Sequence, residues 1–326
     1  MSAPADDRTE ASTTPVATSD GRHHAVVFVA LLALLCIAPF VLYPVFLMSV
    51  LCFALFASAL NLLLGYNGLL SFGHAAFFGT ASYVAAYAAK DWNLTPELAI
   101  LLGTTAAAVL GTAIGALSIR RQGIYFAMVT LAFAQMVYFV ALQAPFTGGE
   151  NGIQAVPRGR LFGLVGLDND LTLYFVVLAI VGCSLLLIYR IIHSPFGQVL
   201  KAIRDNEARA VSMGYKTNRY KLAVFVMSAT LAGLAGATKA LVFQLASLTD
   251  AHWSMSGEVV LMTLLGGMGT VFGPLVGAAT VVTMQNYFAG FGAWVTVIQG
   301  AIFVVAVLLF REGIVGVLSR WIRKPL

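Results

Sequence analysis

Apolar residues in this chain run in stretches that approach the roughly 20 residues needed to cross a bilayer as a helix. They fall at 25–43, 46–64, 69–89, 98–119, 124–142, 171–189, 222–245 and 294–310, with a broken pair across 259–288. The pattern predicts an all-α polytopic membrane protein with about ten transmembrane helices. Two Gly-rich interruptions break it at comparable positions of the two halves, GYNGLLSFGHAAFFG (65–79) and GGMGTVFGPLVG (266–277). One polar segment stands apart: 193–221 is a charged, helix-prone island between two apolar runs.

Composition agrees with the pattern. Of 326 residues, 60% are hydrophobic and 10% charged, with a mean hydropathy of +0.88, whereas a soluble domain carries about 25% charged residues. With ten helices and both termini inside, fifteen of the 19 Lys and Arg fall on the cytoplasmic side, seven of them from Arg190 to Lys221. Lys90, Arg158 and Arg160 fall outside, and Lys239 lies within a span. The positive-inside rule makes 193–221 a cytoplasmic loop. The net charge of +5 reads as topology and contact with anionic membrane lipid, and no nucleic-acid partner is expected. Residues 1–24 are expected to form a disordered cytoplasmic tail and 25–326 the transmembrane domain. The first apolar run is too long for a signal peptide and is expected to be retained.

Glycine lets helices approach closely or lets the backbone leave the helix, and in lipid irregular backbone survives only where protein or a water-filled cavity shields it. Interruptions matched between halves point to a translocation pathway, although close packing explains any single glycine as well. The pathway candidates are Asn61, Asn67, Ser71 and His74, polar groups at membrane depth, with Gly266, Gly267 and Gly269 in the second cluster. For His74 the plainer reading is a neutral imidazole tying two helices together, since no acid lies nearby in sequence. Lys239 is expected to snorkel to the headgroups, and Glu258 to cap the start of the next helix. Cys36, Cys52 and Cys183 read as small buried residues, neither disulfides nor metal ligands.

The chain contains no GxxxxGK[ST] loop, no HExxH, no GxSxG and no Cys/His cluster at metal spacing. No catalytic residue, metal or cofactor is therefore assigned to it. Acidic relays inside spans, usual in proton-coupled pumps, are nearly absent. An apolar body with no motor and a charged cytoplasmic helix suggests a transporter energised by a separate protein. Two alternatives stay open: an ion-coupled secondary transporter, which would work alone, and an intramembrane enzyme, which would need a reactive Ser, His or Cys. Within the island, Ser194 as cap, Pro195 in the first turn and Gly214 as a left-handed end residue bracket a helix predicted over 198–213. Val199, Ala202, Ile203, Ala210 and Met213 form its apolar side, ringed by Lys201, Arg204, Asp205 and Arg209. That arrangement suits a partner's groove or the headgroup layer.

Four segments carry a more specific signal: NLLLGYNGLLSFGHAAFFGTASY (61–83), RQGIYFAMVTLAFAQMVY (121–138), SPFGQVLKAIRDNEARAVSMGY with RYKLAVFVMSATLAGLAGA (194–237), and LLGGMGTVFGPLVGA (264–278). Together they resemble the LivM-type permease subunit of branched-chain amino acid ABC importers, and GIYFAMVTLAF favours LivM-type over LivH-type. The resemblance implies a bacterial inner-membrane importer in which LivM-type and LivH-type permeases form a heterodimer. Two cytoplasmic ATPases consume the ATP, and a periplasmic binding protein delivers substrate against the external segment 143–170. It also implies that 193–221 is an EAA-type coupling loop, with Glu207, Ala208, Ala210 and Gly214 matching the motif, Arg209 at an interior position of the E-A-x-A run and Arg204 just before it. On that reading Glu207→Lys or Gly214→Asp would uncouple ATP hydrolysis from uptake and leave the fold intact. The solute stays open among branched-chain amino acids, urea, short amides and aromatic acids, because the binding protein makes most of the selection.

Overall fold

The computed structural model describes residues 20–163, 165–292, 294–309 and 313–316, and these are mostly helical. In chain order the helices are α1 (Asp20–Ile37), α2 (Pro44–Asn67), α3 (His74–Lys90), α4 (Pro96–Ser118), α5 (Ile124–Gln143), α6 (Asp170–His193) and α7 (Pro195–Asp205). They continue with α8 (Glu207–Ser212), α9 (Thr217–Phe243), α10 (Leu248–Ala251), α11 (Trp253–Gly266), α12 (Gly273–Phe288) and α13 (Trp294–Leu309). Proline opens α2, α4, α7 and α12 within the first two helical positions, where its missing N–H would have had no intrahelical partner.

Among the described residues five helices, α2, α4, α5, α6 and α9, are long and apolar enough to cross a membrane. α3, α11, α12 and α13 have 17, 14, 16 and 16 residues, less than the roughly 20 of a full crossing. Three of these shorter helices abut the Gly-rich breaks, where the backbone leaves the helix at 68–73 and 267–272. The tail expected at 1–24 lies outside the described residues as far as 19, and 20–24 belong to α1.

The all-α expectation needs one correction, in the connection between α5 and α6. Strand β1 (Ile153–Gln154) pairs antiparallel with β4 (Leu245–Ala246), and β2 (Arg160–Leu161) with β3 (Val165–Gly166). These short ladders satisfy backbone groups that no helix serves. Arg158 fastens the same connection, donating to the Val242 carbonyl near the end of α9 at 3.1 Å and pairing with Asp170 at 2.7 Å.

Helix α2 is the central element: from Leu51 to Leu63 every side chain but Phe53 is buried. Helices α4 and α9 run antiparallel and meet through small residues spaced four apart. A Cβ on Gly103 would lie 3.1 Å from Ala237 Cβ, one on Gly111 2.5 Å from Ala229 Cβ, and one on Gly115 2.7 Å from the Phe225 ring, while one on Gly233 would run into Ala107. In lipid the hydrophobic effect gives two apolar helices no reason to associate, so close approach and dispersion must hold them together, and small residues permit that approach.

This packing is testable. Gly233→Val overfills the α4–α9 contact and should destabilise the chain by about 1–3 kcal/mol. Helical Gly257, which has nothing within 4 Å of an added Cβ, should accept alanine with no loss and a gain of up to about 1 kcal/mol. Thermal unfolding in detergent measures both, and equal shifts would refute the small-residue seam.

Candidate transport site and coupling segment

The end of α2 sets the geometry of the candidate site. Gly68 takes φ +76° and its N–H returns to the Leu64 carbonyl at 3.1 Å, while the Leu69 N–H returns to Leu63 at 3.4 Å. This turn leaves the last carbonyls of α2, that of Gly65 among them, outside the helical ladder. One turn earlier Asn61 reaches the second Gly-rich cluster. Its Oδ1 accepts from the Gly269 N–H at 2.9 Å and its Nδ2 donates to the Thr270 carbonyl at 2.8 Å. One carboxamide thus satisfies both a donor and an acceptor of backbone that has left the helix. Gly65 lies so near Gly269 that a Cβ on it would stand 2.6 Å from the Gly269 nitrogen. The two clusters therefore meet in space.

A third element joins them from α7. Arg204 Nη1 donates to the Gly65 carbonyl, its stem covers Gly68, where a Cβ would lie 3.0 Å from Arg204 Cγ, and its Nε stands 3.4 Å from Asp205 Oδ1. A cation at helix C-terminal carbonyls is favoured by the macrodipole.

The other pathway candidates have different partners. His74 is buried and its Nε2 hydrogen-bonds Ser228 Oγ at 2.8 Å. Ser228 in turn donates to the Ala59 carbonyl, so the imidazole ties α3 to α9 and α2. Backbone donors around the 68–73 break are met by side chains: Phe72 N–H by Thr130 of α5, Gly73 N–H by Ser71, and Ala75 N–H by Ser256 of α11. Asn67 is buried with neither amide atom partnered. Gly266 packs against the backbone of Gly273 and Gly277, and Gly267 against Gly313. Asn61 and Gly269 are thus in direct contact, while Ser71 and His74 serve the start of α3. Thr270, Ser228 and Ser256 escaped the sequence reading, because isolated hydroxyls among apolar residues carry no local signal.

The segment 193–221 departs from the single helix expected over 198–213. It is two helices, α7 and α8, broken at Asn206, which is extended (φ −159°, ψ 99°) and accepts the Arg209 N–H at 2.9 Å. An Asn that can cap a new helix competes effectively with continuing the old one. Ser194 caps α7 by accepting from the Gly197 N–H at 3.3 Å. Gly214 closes α8 with φ +88°, and the Tyr215 N–H returns to the Ala210 carbonyl at 3.2 Å.

The apolar side of this segment is also reassigned. Gly197, Leu200 and Ile203 are buried where α7 packs on α2 and α6, and Ala210 is buried too. Ala208, Arg209, Val211 and Met213 remain exposed. Glu207 faces inward: its Oε1 lies 2.6 Å from Nζ of buried Lys221, and its Oε2 accepts from Gln122 at 3.0 Å. A lysine at 207 would set two cations against each other, so Glu207→Lys disturbs the seat of α8 itself, contrary to the expectation of an intact fold.

Three further expectations are corrected. Lys239 does not snorkel; its Nζ lies 2.5 Å from Asp250 Oδ1, with side chains only 12% and 1% exposed. Asp250 also completes a capping box with Ser247 at the start of α10. Glu258 sits inside α11, which His252 caps. Cys52 is buried, but Cys36 is half-buried and Cys183 exposed. Asp250 meets the rule that a polar group at low dielectric takes a partner, with Lys239 on α9 and Ser247 across a turn.

A helical bundle whose discontinuous members meet at a glycine junction defines a polytopic membrane protein of the transporter type. Residues 43–307 match the family described as the branched-chain amino acid transport system permease component, and the chain belongs to that family. It is 29% identical over 283 residues to the high-affinity branched-chain amino acid transport system permease protein LivM of Escherichia coli K12, and 30% identical over 283 residues to that of Salmonella typhimurium LT2. Each alignment covers 78% of this chain, which spans 65% of either relative's length. The ribose import permease protein RbsC of Bacillus subtilis is 30% identical over 184 residues, 52% of each chain. No solved structure matches the chain.

The Lys239–Asp250 pair yields an expected outcome of its own. Lys239→Met strands a buried carboxylate and should cost about 3–5 kcal/mol, most of which Lys239→Met with Asp250→Asn should restore, since asparagine keeps the capping acceptor. Unfolding free energies of the two single variants and the double variant measure the coupling; additive losses would show that the pair is not an energetic unit.

Proposed function

We propose that the chain is the LivM-type permease subunit of an ATP-driven importer of branched-chain or related amino acids. In this reading it crosses the bacterial inner membrane about ten times with both termini in the cytoplasm. It pairs with a LivH-type permease, receives solute from a periplasmic binding protein at 143–170, and is moved by two ATPases that consume the ATP. The chain itself performs no chemistry and holds no cofactor. The solute path is bounded by Asn61, Asn67, Ser71, His74, Gly266, Gly267 and Gly269.

Family membership supports the class, and one structural observation supports the coupling. The α7–α8 segment is seated on the bundle by Leu200, Ile203, Ala210 and Glu207, yet leaves Val211 and Met213 55% and 58% exposed beside Arg209. A groove of about 440 Å³ opens next to Gly214, lined by Phe196, Tyr215, Lys216, Arg219 and Tyr220. An apolar tip with basic flanks on a rigid seat is what a partner protein can grip.

Reconstitution of the chain with its second permease, ATPases and binding protein should give solute uptake that depends on ATP; uptake by the chain alone on an ion gradient would establish the secondary-transporter reading instead. Met213→Asp should lower uptake about tenfold or more with the protein still inserted at normal levels, as expected for loss of a central apolar contact. Unchanged uptake would remove α8 from the ATPase interface.

A further inference from the structure

We propose that Arg204 is a positioning residue that makes α7, the end of α2 and the turn between α11 and α12 move as one body, carrying motion of the coupling segment to the glycine junction. The proposal rests on the reading of α7–α8 as the ATPase contact.

A single side chain runs from α7 to the end of α2 and borders the α11–α12 turn. Arg204 leaves α7, lays its stem on Gly68, and delivers Nη1 to the Gly65 carbonyl, beside Gly269 of the α11–α12 turn, where an added Cβ would stand 3.5 Å from the Gly65 oxygen and 3.7 Å from Nη1. Asp205 lies 3.4 Å from both Nε and Nη2 and so holds the guanidinium plane with Nη1 directed at the carbonyl. A lysine could keep the donor but not this planar fork. Gly65 and Gly269 bring no side chains of their own to this contact, where a Cβ on Gly65 would run into Asn61 Oδ1 and stand 2.6 Å from the Gly269 nitrogen, so the Asn61 carboxamide is the side chain at the junction. Asn61 pins the turn at both the Gly269 N–H and the Thr270 carbonyl, which prevents it from sliding along α2. Buried Leu200 and Ile203, with Lys201 Nζ 5.9 Å from the centre of the Tyr66 ring, seat the rest of α7 on the same end of α2. Elsewhere on the coupling segment the polar ties run to other places: Glu207 goes to Lys221 and Gln122, which belong to α9 and to the connection between α4 and α5. Arg204 thus supplies a hydrogen bond from α7 to the first Gly-rich break, and Asn61 carries the connection on to the second.

The test uses the full chain with Cys36, Cys52 and Cys183 replaced by alanine, assembled with its partners in lipid nanodiscs. Spin labels go on Gln198→Cys in α7 and Met268→Cys in the α11–α12 turn, both exposed positions. In the parent the distance between labels should not change when nucleotide binds. In Arg204→Ala, nucleotide should shift it by more than about 2 Å, the scale of helix shifts in switching proteins. Uptake per ATP hydrolysed should then fall about tenfold or more with hydrolysis retained, as for loss of a coupling free energy of ordinary size. Arg204→Lys, which keeps a cationic donor for the Gly65 carbonyl, should restore part of that ratio. A parent distance that itself changes with nucleotide, an Arg204→Ala distance that behaves like the parent's, or equal loss of uptake and hydrolysis would overturn the proposal. If the parent assembly shows no ATP-dependent uptake, the importer reading fails; the strut is still decided in the isolated chain, where Arg204→Ala should broaden the label distance distribution and an unbroadened one would refute it.

Discussion

The contact between Gly65 and Gly269, latched by the Asn61 carboxamide, is the constraint from which much of the architecture follows. Inside a bilayer a helix can end only where something else satisfies its backbone. Here each of two interrupted helices supplies what the other lacks. Asn61 serves the turn between α11 and α12, glycine at 65 and 269 removes the side chains that would hold the backbones apart, and Arg204 takes the carbonyl that α2 leaves free. Helix α2 can therefore be central and buried while the shorter helices α11 and α12 fold back against it.

A second rule governs the charged side chains. Four basic residues near or within the bundle have defined partners: Lys221 with Glu207, Lys239 with Asp250, Arg158 with Asp170 and the Val242 carbonyl, and Arg204 with the Gly65 carbonyl and Asp205. The first two hold nearly buried ammonium groups, where desolvation would be prohibitive without a carboxylate. These pairs join segments that apolar packing alone would leave free to slide. The α7–α8 segment is in consequence part of the bundle on one side and bare on the other.

How far the sequence could be read depended on the range of the signal. Span positions came from runs of apolar residues, and α2, α4, α5, α6 and α9 lie where those runs predicted. Ser194, Pro195 and Gly214 were legible because capping is a matter of a few consecutive residues. The break at Asn206 was missed although it is local, because helix propensity on both sides outweighed one competing cap. The seam of Gly103, Ala107, Gly111 and Gly115 against Phe225, Ala229, Gly233 and Ala237 is periodic in each strand of sequence, but its partner face is not encoded in either alone. Local sequence offers Lys239 only the headgroups and Glu258 only a cap, and tertiary structure gives the first Asp250 as its partner and sets the second inside α11.

By itself, then, the order of residues determined that this chain lives in a membrane, where its helices run, which segment is basic and capped, and which family it belongs to, since all of these depend on composition, spacing or short motifs. Tertiary structure alone decided that the two glycine clusters touch, that Glu207 looks inward to Lys221, that the apolar face of α7 is spent on its own bundle, and that Arg204 bridges to Gly65. Those outcomes turn on contacts between residues up to 209 positions apart, and a contact at that distance is set by how whole helices pack, which no local pattern records.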